Sequence, residues 1–328
     1  MLRAIAIALG VGSLANGTRN SHALRTLGRA TIVRSKSERK NLQDRISGEE
    51  MERIDSHHHF WQYSAENYPW ISESMSQLRR DFLGRHLAVE TTTSQISSVI
   101  SVQARQSIEE TNWLLAQSVG CDWIRGVVGW LPLAASNVCD EMETLREQPK
   151  LCGLRHVVQD ELDDGFLARS DFNRGISAMK DYGWTYDILI YGRQLPFAIP
   201  FVDRHPDQMF VLDHIAKPTI QPDCFDEFWS IQLKELAKRS NVACKFSGVV
   251  TEIRAHGWQL HQIQPYWDTA LEAFGTDRLM FGSDWPVCLL KTSYADWVAS
   301  VSSLTSQLSQ AEQENFWSKN AIRAYRLK

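Results

Sequence analysis

The feature that most constrains the fold of this chain is an alternation of short apolar runs with longer amphipathic stretches, which begins after Met51 and repeats eight times. Such an alternation is typical of strand–helix units arranged around a parallel sheet. Eight units within residues 51–328 predict an α/β fold, a (β/α)8 TIM barrel. The predicted strands are 53–57, 98–103, 124–130, 152–157, 185–190, 209–214, 242–246 and 278–283, with helices between them and a closing helix at 310–325.

An open, doubly wound sheet is the alternative fold with the same alternation. That fold usually carries a glycine-rich phosphate-binding turn after its first strand. Here the first predicted strand runs instead into three histidines, His57, His58 and His59. The chain also contains neither the Gly-x-Ser-x-Gly turn of α/β-hydrolases nor a nucleotide-binding loop. The barrel is therefore the predicted fold.

The first fifty residues differ in charge from the rest of the chain. They hold nine Lys and Arg against four Asp and Glu, whereas residues 51–328 hold 26 against 35. We expect residues 1–50 to be an N-terminal extension, disordered or processed, and residues 51–328 to form one catalytic domain. A signal peptide built on the apolar stretch 4–15 and an Arg-rich organelle transit peptide are the two processing alternatives.

Charge and hydropathy limit the partners of this chain. An acidic domain without a basic stripe argues against nucleic-acid binding. No apolar run reaches the roughly 18–20 residues of a membrane span. The six cysteines form no Cys-x-x-Cys pair, the spacing of zinc ribbons and thioredoxin-like sites. We therefore expect a cytoplasmic protein with a small-molecule substrate, and whether it forms a homo-oligomer stays open.

Polar side chains recur where the predicted strands end. In a barrel these carboxyl ends converge on one mouth, where barrel enzymes place their active sites. The candidate site residues at these ends are His57, His59, Gln103, Arg155, His156, Asp187, Tyr191, His214, Lys245, Ser247 and Asp284, followed by Trp285.

His57 and His59 form the first candidate pair. Alternate residues of a strand point to the same side. Two imidazoles on one side can hold a divalent cation or a substrate oxygen. The alternative is histidine packing without a function, and we expect that role for His58, which points the other way.

His214 and Asp284 end the sixth and eighth predicted strands. A neutral histidine at such a position can act as ligand, general acid or oxyanion donor, and a carboxylate can accept a proton from water. The structural alternatives are a core or capping histidine for His214 and a helix N-cap for Asp284.

Arg155 and Lys245 are the cationic candidates on the fourth and seventh predicted strands. The guanidinium of Arg155 can clamp a carbonyl or carboxylate oxygen through its fork of donors. A salt bridge inside the barrel is the alternative for Arg155, and an ion pair with Glu252 is the alternative for Lys245.

Taken together, five segments resemble the amidohydrolase-related lactonases, the family of L-fuconolactonase, L-rhamnono-lactonase and 2-pyrone-4,6-dicarboxylate lactonase. The matching segments are 54–61, 153–159, 213–218, 245–252 and 278–287. The resemblance spans about residues 51–328 and leaves out the N-terminal extension. It implies a barrel of the amidohydrolase type that hydrolyses a small cyclic ester at His57, His59, His214 and Asp284.

The resemblance also implies a cofactor. Arg155 stands where two-metal members of the superfamily carry a bridging Lys, and Asp187 and Tyr191 stand where they carry a His. The resemblance therefore implies at most one divalent ion, with zinc as the first choice. Its ligands would be His57, His59 and Asp284. A metal-free site is the alternative.

The implied substrate is a sugar-acid lactone (an aldonolactone), which suggests a role in carbohydrate catabolism. In this hypothesis Asp284 activates water, the histidines polarise the carbonyl, and Arg155 anchors the ring or the oxyanion. The substrate-binding candidates are Gln103, His156, Tyr191, Lys245 and Trp285. A decarboxylase or hydratase of an unsaturated carboxylic acid on the same barrel, and a non-catalytic sugar-acid binding protein, are the alternative functions.

A first prediction concerns the N-terminal extension. A chain that begins at Met51 should fold and keep full lactone-hydrolysing activity, because no candidate site residue precedes that position. Circular dichroism and initial rates, compared with those of the full chain, measure both properties. An insoluble or inactive truncated protein would show that the domain boundary is misplaced.

Overall fold

A computed structural model describes residues 51–255 and 257–328, so the predicted extension 1–50 lies outside the described residues. Eight parallel strands follow one another in sequence order around a nearly closed barrel, which confirms the predicted fold. The strands are β1 (Ile54–His58), β2 (Ser98–Val102), β3 (Ile124–Gly129), β4 (Leu151–His156), β5 (Thr185–Ile188), β6 (Phe210–Leu212), β7 (Val242–Phe246) and β8 (Leu279–Phe281).

Helices cover the outside of the barrel, and several begin at a side-chain cap. Ser107, Ser293 and Ser309 each accept a hydrogen bond from the backbone N–H three residues on, as an N-cap does. The helices are α1 (Gly84–Thr93), α2 (Ile108–Ser118), α3 (Val138–Leu145), α4 (Ser170–Met179), α5 (Leu195–Asp203), α6 (Glu227–Leu236), α7 (Leu260–Phe274), α8 (Tyr294–Thr305), α9 (Gln310–Glu314) and α10 (Asn320–Tyr325). The predicted closing helix is interrupted by a π-helical turn, Asn315–Lys319. None of the described helices has the length and apolarity that crossing a membrane requires.

The barrel interior is filled in two layers. Ile100, Val128, Val211 and Met280 form the apolar layer together with Tyr325 of α10. Two residues further along β4, β5, β6 and β7, the inward positions carry charged side chains instead, namely Arg155, Asp187, Asp213 and Lys245. Because alternate residues share a face, this second layer lies between the apolar layer and the mouth.

The seam between β1 and β8 closes the barrel and fixes the site residues on both sides. The backbone N–H of Asp284 donates to the carbonyl of His57, and the N–H of His59 donates to the carbonyl of Trp285, both at 2.7 Å. The buried carboxylate of Asp55 accepts the N–H of Ser283 at 2.8 Å and its hydroxyl at 2.5 Å. Burial raises the pKa of Asp55 to about 6. His57 and Asp284 are therefore held side by side by the same contacts that join the two strands.

Candidate active site

Four side chains meet at the mouth of the barrel. Oδ1 of Asp284 lies 3.3 Å from Nε2 of His59, 3.8 Å from Nε2 of His57 and 3.9 Å from Nε2 of His214. The Nε2 atoms of His57 and His59 are 3.3 Å apart. All four residues are buried. The structure thus brings together the four residues that the sequence analysis placed at the centre of the site.

Asp284 is not a helix N-cap in this structure. The 3₁₀ turn that follows it, Val287–Leu290, begins after Pro286 and has no side-chain cap. Asp284 itself has a left-handed backbone with φ of 58°, a conformation that Asp tolerates better than most residues. Its carboxylate is directed at the histidines instead.

Hydrogen-bond partners fix the orientation of two imidazoles. Nδ1 of His59 lies 2.8 Å from the carbonyl oxygen of Val102, so Nδ1 carries the proton and Nε2 is a free acceptor. Nδ1 of His57 lies 3.2 Å from both the carboxylate of Asp213 and the ammonium of Lys245. The Nε2 atoms of His57 and His59 and the carboxylate of Asp284 face one another, and such a group of side chains is suited to a cation.

Burial favours the neutral forms of His57 and His214. It lowers the pKa of His57 well below the ordinary value, against the opposing effect of Asp213. Burial likewise lowers the pKa of His214 to about 4. For Asp284, burial alone would raise the pKa, but His214, His59 and Lys217 outweigh it and the net shift is downward. At neutral pH the site therefore combines neutral imidazoles with an ionised carboxylate.

His214 is presented by an unusual backbone. Residues 214–217 all have positive φ, with values of 53°, 48°, 61° and 46°, and none of them is glycine. A left-handed conformation costs roughly 1–2 kcal/mol for each such residue. The buried Trp229 stabilises the turn, since its Nε1–H donates to the carbonyl of Ile215 at 2.6 Å. Strain of this kind persists where the surrounding structure imposes it, commonly at functional sites.

Gly248 closes the site from the side of β7. Its φ is 63°, and a Cβ at this position would lie 2.7 Å from Nδ1 of His214 and 2.8 Å from Oδ2 of Asp284. Real Cβ atoms do not approach polar atoms so closely. Only glycine lets the chain turn here and leaves the imidazole and the carboxylate in place.

The two cations that were predicted to face the substrate, Arg155 and Lys245, lie in the charged layer below the site. Nζ of Lys245 lies 2.6 Å from Asp187 and 3.0 Å from Asp213, and the lysine is fully buried. Substrate binding by Lys245 stays a prediction, and in this structure its ammonium is held beneath the mouth by two carboxylates. Its ion-pair partners are also not the predicted Glu252.

Arg155 is engaged in the same layer. Its Nη1 donates to Asp213 at 2.9 Å and lies 3.3 Å from Nε2 of His57, while Nη2 donates to the backbone carbonyl of Gln103. The guanidinium thus forms the salt bridge inside the barrel that was the alternative for this residue. It acts beside His57 rather than as a free clamp on the substrate.

Two further residues predicted to bind substrate make contacts within the protein. Both ring nitrogens of His156 have partners: Nε2 lies 2.7 Å from Glu161, and Nδ1 accepts from Nε1–H of Trp130. Trp285 is 2% exposed and packs edge-on against Phe82. Both side chains thus help to pack the loops around the mouth.

Gln103 and Tyr191 remain candidates for substrate contact. Among the described residues, Oε1 of the buried Gln103 has no hydrogen-bond partner, which leaves an acceptor for a ligand hydroxyl. Tyr191 is half-buried, and the ammonium of Lys217 lies 5.7 Å from the centre of its ring. Lys217 and Glu252 are further half-buried charged residues near the site.

Asp213 was not among the predicted site residues, although the structure places it against His57, Arg155 and Lys245. Burial alone would raise its pKa, but Lys245, His57 and Arg155 hold the pKa well below the usual value. The sequence did contain a signal for Asp213. It stands two residues after Val211, so its side chain points into the barrel as that of Val211 does. The buried cations Arg155 and Lys245 also need a counter-charge.

Within the described part of the chain, His57, His214 and Asp284 form a group that could hold a metal ion, since their ligand atoms all lie within 4.8 Å of one another. The predicted ligand set contained His59 in place of His214. His59 lies close to the same atoms, at 3.3 Å from both His57 and Asp284. The three histidines and Asp284 thus offer more donors than one ion requires from protein side chains.

Comparison with known proteins agrees with this geometry. The amidohydrolase family model matches residues 54–327. The chain belongs to the amidohydrolase family. An L-fucono-1,5-lactonase of Burkholderia multivorans is 42% identical over 290 residues, covering 84% of this chain and 96% of the relative. A second L-fucono-1,5-lactonase, from Burkholderia ambifaria, is 33% identical and covers 75% and 84%.

The solved structure of a similar protein has the same architecture as this chain. The crystal structure of an amidohydrolase from Burkholderia multivorans with bound zinc superposes with a TM-score of 0.82 at 40% identity. The alignment covers 84% of this chain and all of the other. The predicted resemblance to amidohydrolase-related lactonases is confirmed.

The glycine beside the site provides a specific prediction. Gly248→Ala should reduce activity by about 100-fold or more, since a displacement of about 1 Å from the productive geometry can cost that much. Gly257→Ala is the matched control, because a Cβ at Gly257 meets no atom within 4 Å. Steady-state rates measure the activity of both variants, and unfolding curves show whether each variant is folded. Full activity of a folded Gly248→Ala protein would contradict the close approach.

Proposed function

We propose that this amidohydrolase opens a small cyclic ester, a sugar-acid lactone, by adding water to its carbonyl. The observation that carries the proposal is the buried group of three imidazoles around one carboxylate at the barrel mouth. The 42% identity to an L-fucono-1,5-lactonase supports an aldonolactone as the substrate class.

The donor set fits one divalent cation, and we propose zinc. Nitrogen ligands from neutral histidines and one carboxylate are a combination that zinc prefers, and burial keeps these imidazoles neutral. His57, His214 and Asp284 would hold the ion, with His59 adjacent. When bound, the ion supplies Lewis-acid polarisation of the lactone carbonyl.

Asp284 is the general base of the proposed reaction. Its carboxylate takes a proton from the attacking water as the new carbon–oxygen bond forms at the carbonyl carbon. Imidazole nitrogens that hold an ion carry no proton, so His57 and His214 would act as its ligands rather than as hydrogen-bond donors to the carbonyl oxygen. The tetrahedral intermediate then breaks the ring carbon–oxygen bond, and protonated Asp284 returns its proton to the leaving alkoxide.

The substrate hydroxyls have candidate partners around this centre. We propose that the free amide oxygen of Gln103 accepts from one hydroxyl. Lys217 and Tyr191 are half-buried. We propose that they lie on the mouth side of the charged layer and contact the polar face of the lactone ring.

The general base can be tested by one substitution. Asp284→Asn keeps the size of the side chain but removes the proton acceptor, so kcat should fall by about 10²–10⁴-fold. Asp296→Asn, at an exposed position in the first turn of α8, is the matched control and should hydrolyse at the wild-type rate. Rates on a set of aldonolactones provide the measurement. An Asp284→Asn enzyme within a few-fold of wild type would exclude Asp284 as the base.

The metal content can be counted directly. Elemental analysis of the purified chain should give no more than one divalent ion per active site, because Arg155 and Lys245 are held in ion pairs and supply no ligand for a second. Chelation followed by addition of Zn²⁺ then tests whether that ion is needed for turnover. Two tightly bound ions, both required, would refute the single-ion proposal.

A further inference from the structure

Glu252 is a charged side chain near the site that belongs neither to the charged layer nor to the proposed mechanism. It ends the 3₁₀ turn Val249–Glu252, which begins directly after Gly248. Gly248 lies against the site, since a Cβ there would come within 2.7 Å of His214 and 2.8 Å of Asp284. Glu252 is therefore one turn of chain away from the side chains that hold the proposed ion.

Two neighbouring loops hold this turn in place. Ile253, the next residue, pairs with Ile220 of the loop after β6 in a parallel bridge. The turn also packs against the turn Val287–Leu290 in the loop after β8. Glu252 itself is half-buried. Its carboxylate thus stands among the loops of the mouth and not on the outer surface of the barrel.

Lys217 carries the opposite charge to the same part of the mouth. It follows His214 by three residues, and its backbone N–H donates to the carbonyl of His214 at 2.8 Å. The side chain is half-buried, and its ammonium lies 5.7 Å from the centre of the Tyr191 ring. Burial raises the pKa of Glu252, and Lys217 is the nearby charge that opposes this shift most strongly. The ammonium and the carboxylate are therefore close enough to interact.

These two charges nevertheless do not pair. In the part of the chain that the structure describes, neither Glu252 nor Lys217 makes a side-chain hydrogen bond or an ion pair. Charged groups that are partly removed from water need polar partners. The space between the two side chains is therefore suited to a polar group of a ligand.

The chemistry of the two side chains selects that group. A ligand carboxylate would pair with Lys217 but meet Glu252 with a like charge, and a ligand ammonium would have the reverse difficulty. A hydroxyl suits both side chains, because it can donate to a carboxylate and accept from an ammonium at the same time. Arg254 also lies near Glu252, but it is exposed, so water and salt screen its charge.

We propose that Glu252 and Lys217 together bind one hydroxyl group of the substrate ring, with Glu252 accepting its hydrogen bond and Lys217 donating to its oxygen. The inference rests on the proposed function, because it assigns the specificity of that site. It makes Glu252 a specificity-determining residue that selects a hydroxylated lactone over one without that hydroxyl.

The substitution Glu252→Gln keeps the size of the side chain and removes its charge. Hydrogen bonds to a charged acceptor are about twice as strong as neutral ones, so KM for an aldonolactone should rise about tenfold. The bond is the same in the ground state and the transition state, because it is made away from the reacting carbonyl, so kcat should stay within about threefold. Steady-state rates measure both constants.

Lactones that each lack one hydroxyl identify the group that is bound. On one of them the wild type should show a KM about tenfold higher than on the full aldonolactone. With that lactone, Glu252→Gln and Lys217→Met should change KM by no more than about twofold, because the group that both residues bind is missing. On the other lactones, each substitution should raise KM as it does on the full aldonolactone. Equal effects of Glu252→Gln on all the lactones would contradict a bond to one hydroxyl.

Glu90→Gln is the matched control. Glu90 is also half-buried, and its carboxylate has no hydrogen-bond or ion-pair partner among the described residues, but it lies in the outer helix α1. This variant should have wild-type KM and kcat, and unfolding curves show that each variant is folded. A folded Glu252→Gln enzyme with wild-type KM on every lactone overturns the proposal and leaves the proposed function in place. If Glu252→Gln does not fold, unchanged KM values of Lys217→Met overturn it instead.

A ligand that resists hydrolysis separates this proposal from the proposed function. In an aldonolactam, a ring N–H replaces the ring oxygen of the lactone and the hydroxyls stay the same. Calorimetry should show that Glu252→Gln binds the aldonolactam about tenfold more weakly than the wild type does. If that loss is seen but the wild type hydrolyses no lactone, the proposed function fails and the role of Glu252 in binding stands. Equal affinities of the two proteins overturn that role.

Discussion

The buried ion pairs of Asp187, Asp213, Lys245 and Arg155 are the interaction on which the rest of the site depends. Two carboxylates and two cations fill the layer between the apolar interior and the mouth, and their charges balance. Removing one member of such a group typically costs about 3–5 kcal/mol, because the remaining charge is left buried without a partner. Each member therefore constrains the other three.

Because their charges balance, these residues can lie buried directly beneath the site and contact its side chains. Asp213 orients His57, and Arg155 lies beside the same imidazole. The strands supply these groups at fixed heights, since the parallel register pairs Arg155 with Asp187 and pairs Asp187 with Val211, two residues before Asp213. The loops then need to position only His214, Gly248 and Asp284, and they do so with backbone conformations that regular strands cannot adopt.

The fold and the central residues could be predicted from sequence because both follow from local patterns. Eight apolar runs define the strands, and strand ends define the mouth, so His57, His59, His214 and Asp284 could be named without a structure. The role of Lys245 could not, because its partners Asp187 and Asp213 come from two other strands and their distances depend on the closed barrel. The packing of Trp285 and His156 could not be predicted for a related reason: proximity to a strand end does not tell whether a side chain turns toward the mouth or into the packing of a loop.

The seam between β1 and β8 has a consequence for the order in which the protein acquires its activity. The contact of Ser283 with Asp55 spans 228 residues of chain, and His57 receives its neighbour Asp284 only across this seam. Contacts of such large sequence separation are slow to form because the intervening chain must first be ordered. Without the eighth strand, the imidazoles of His57, His59 and His214 lack the carboxylate of Asp284. Activity therefore requires that the first and the last strand of the barrel are joined.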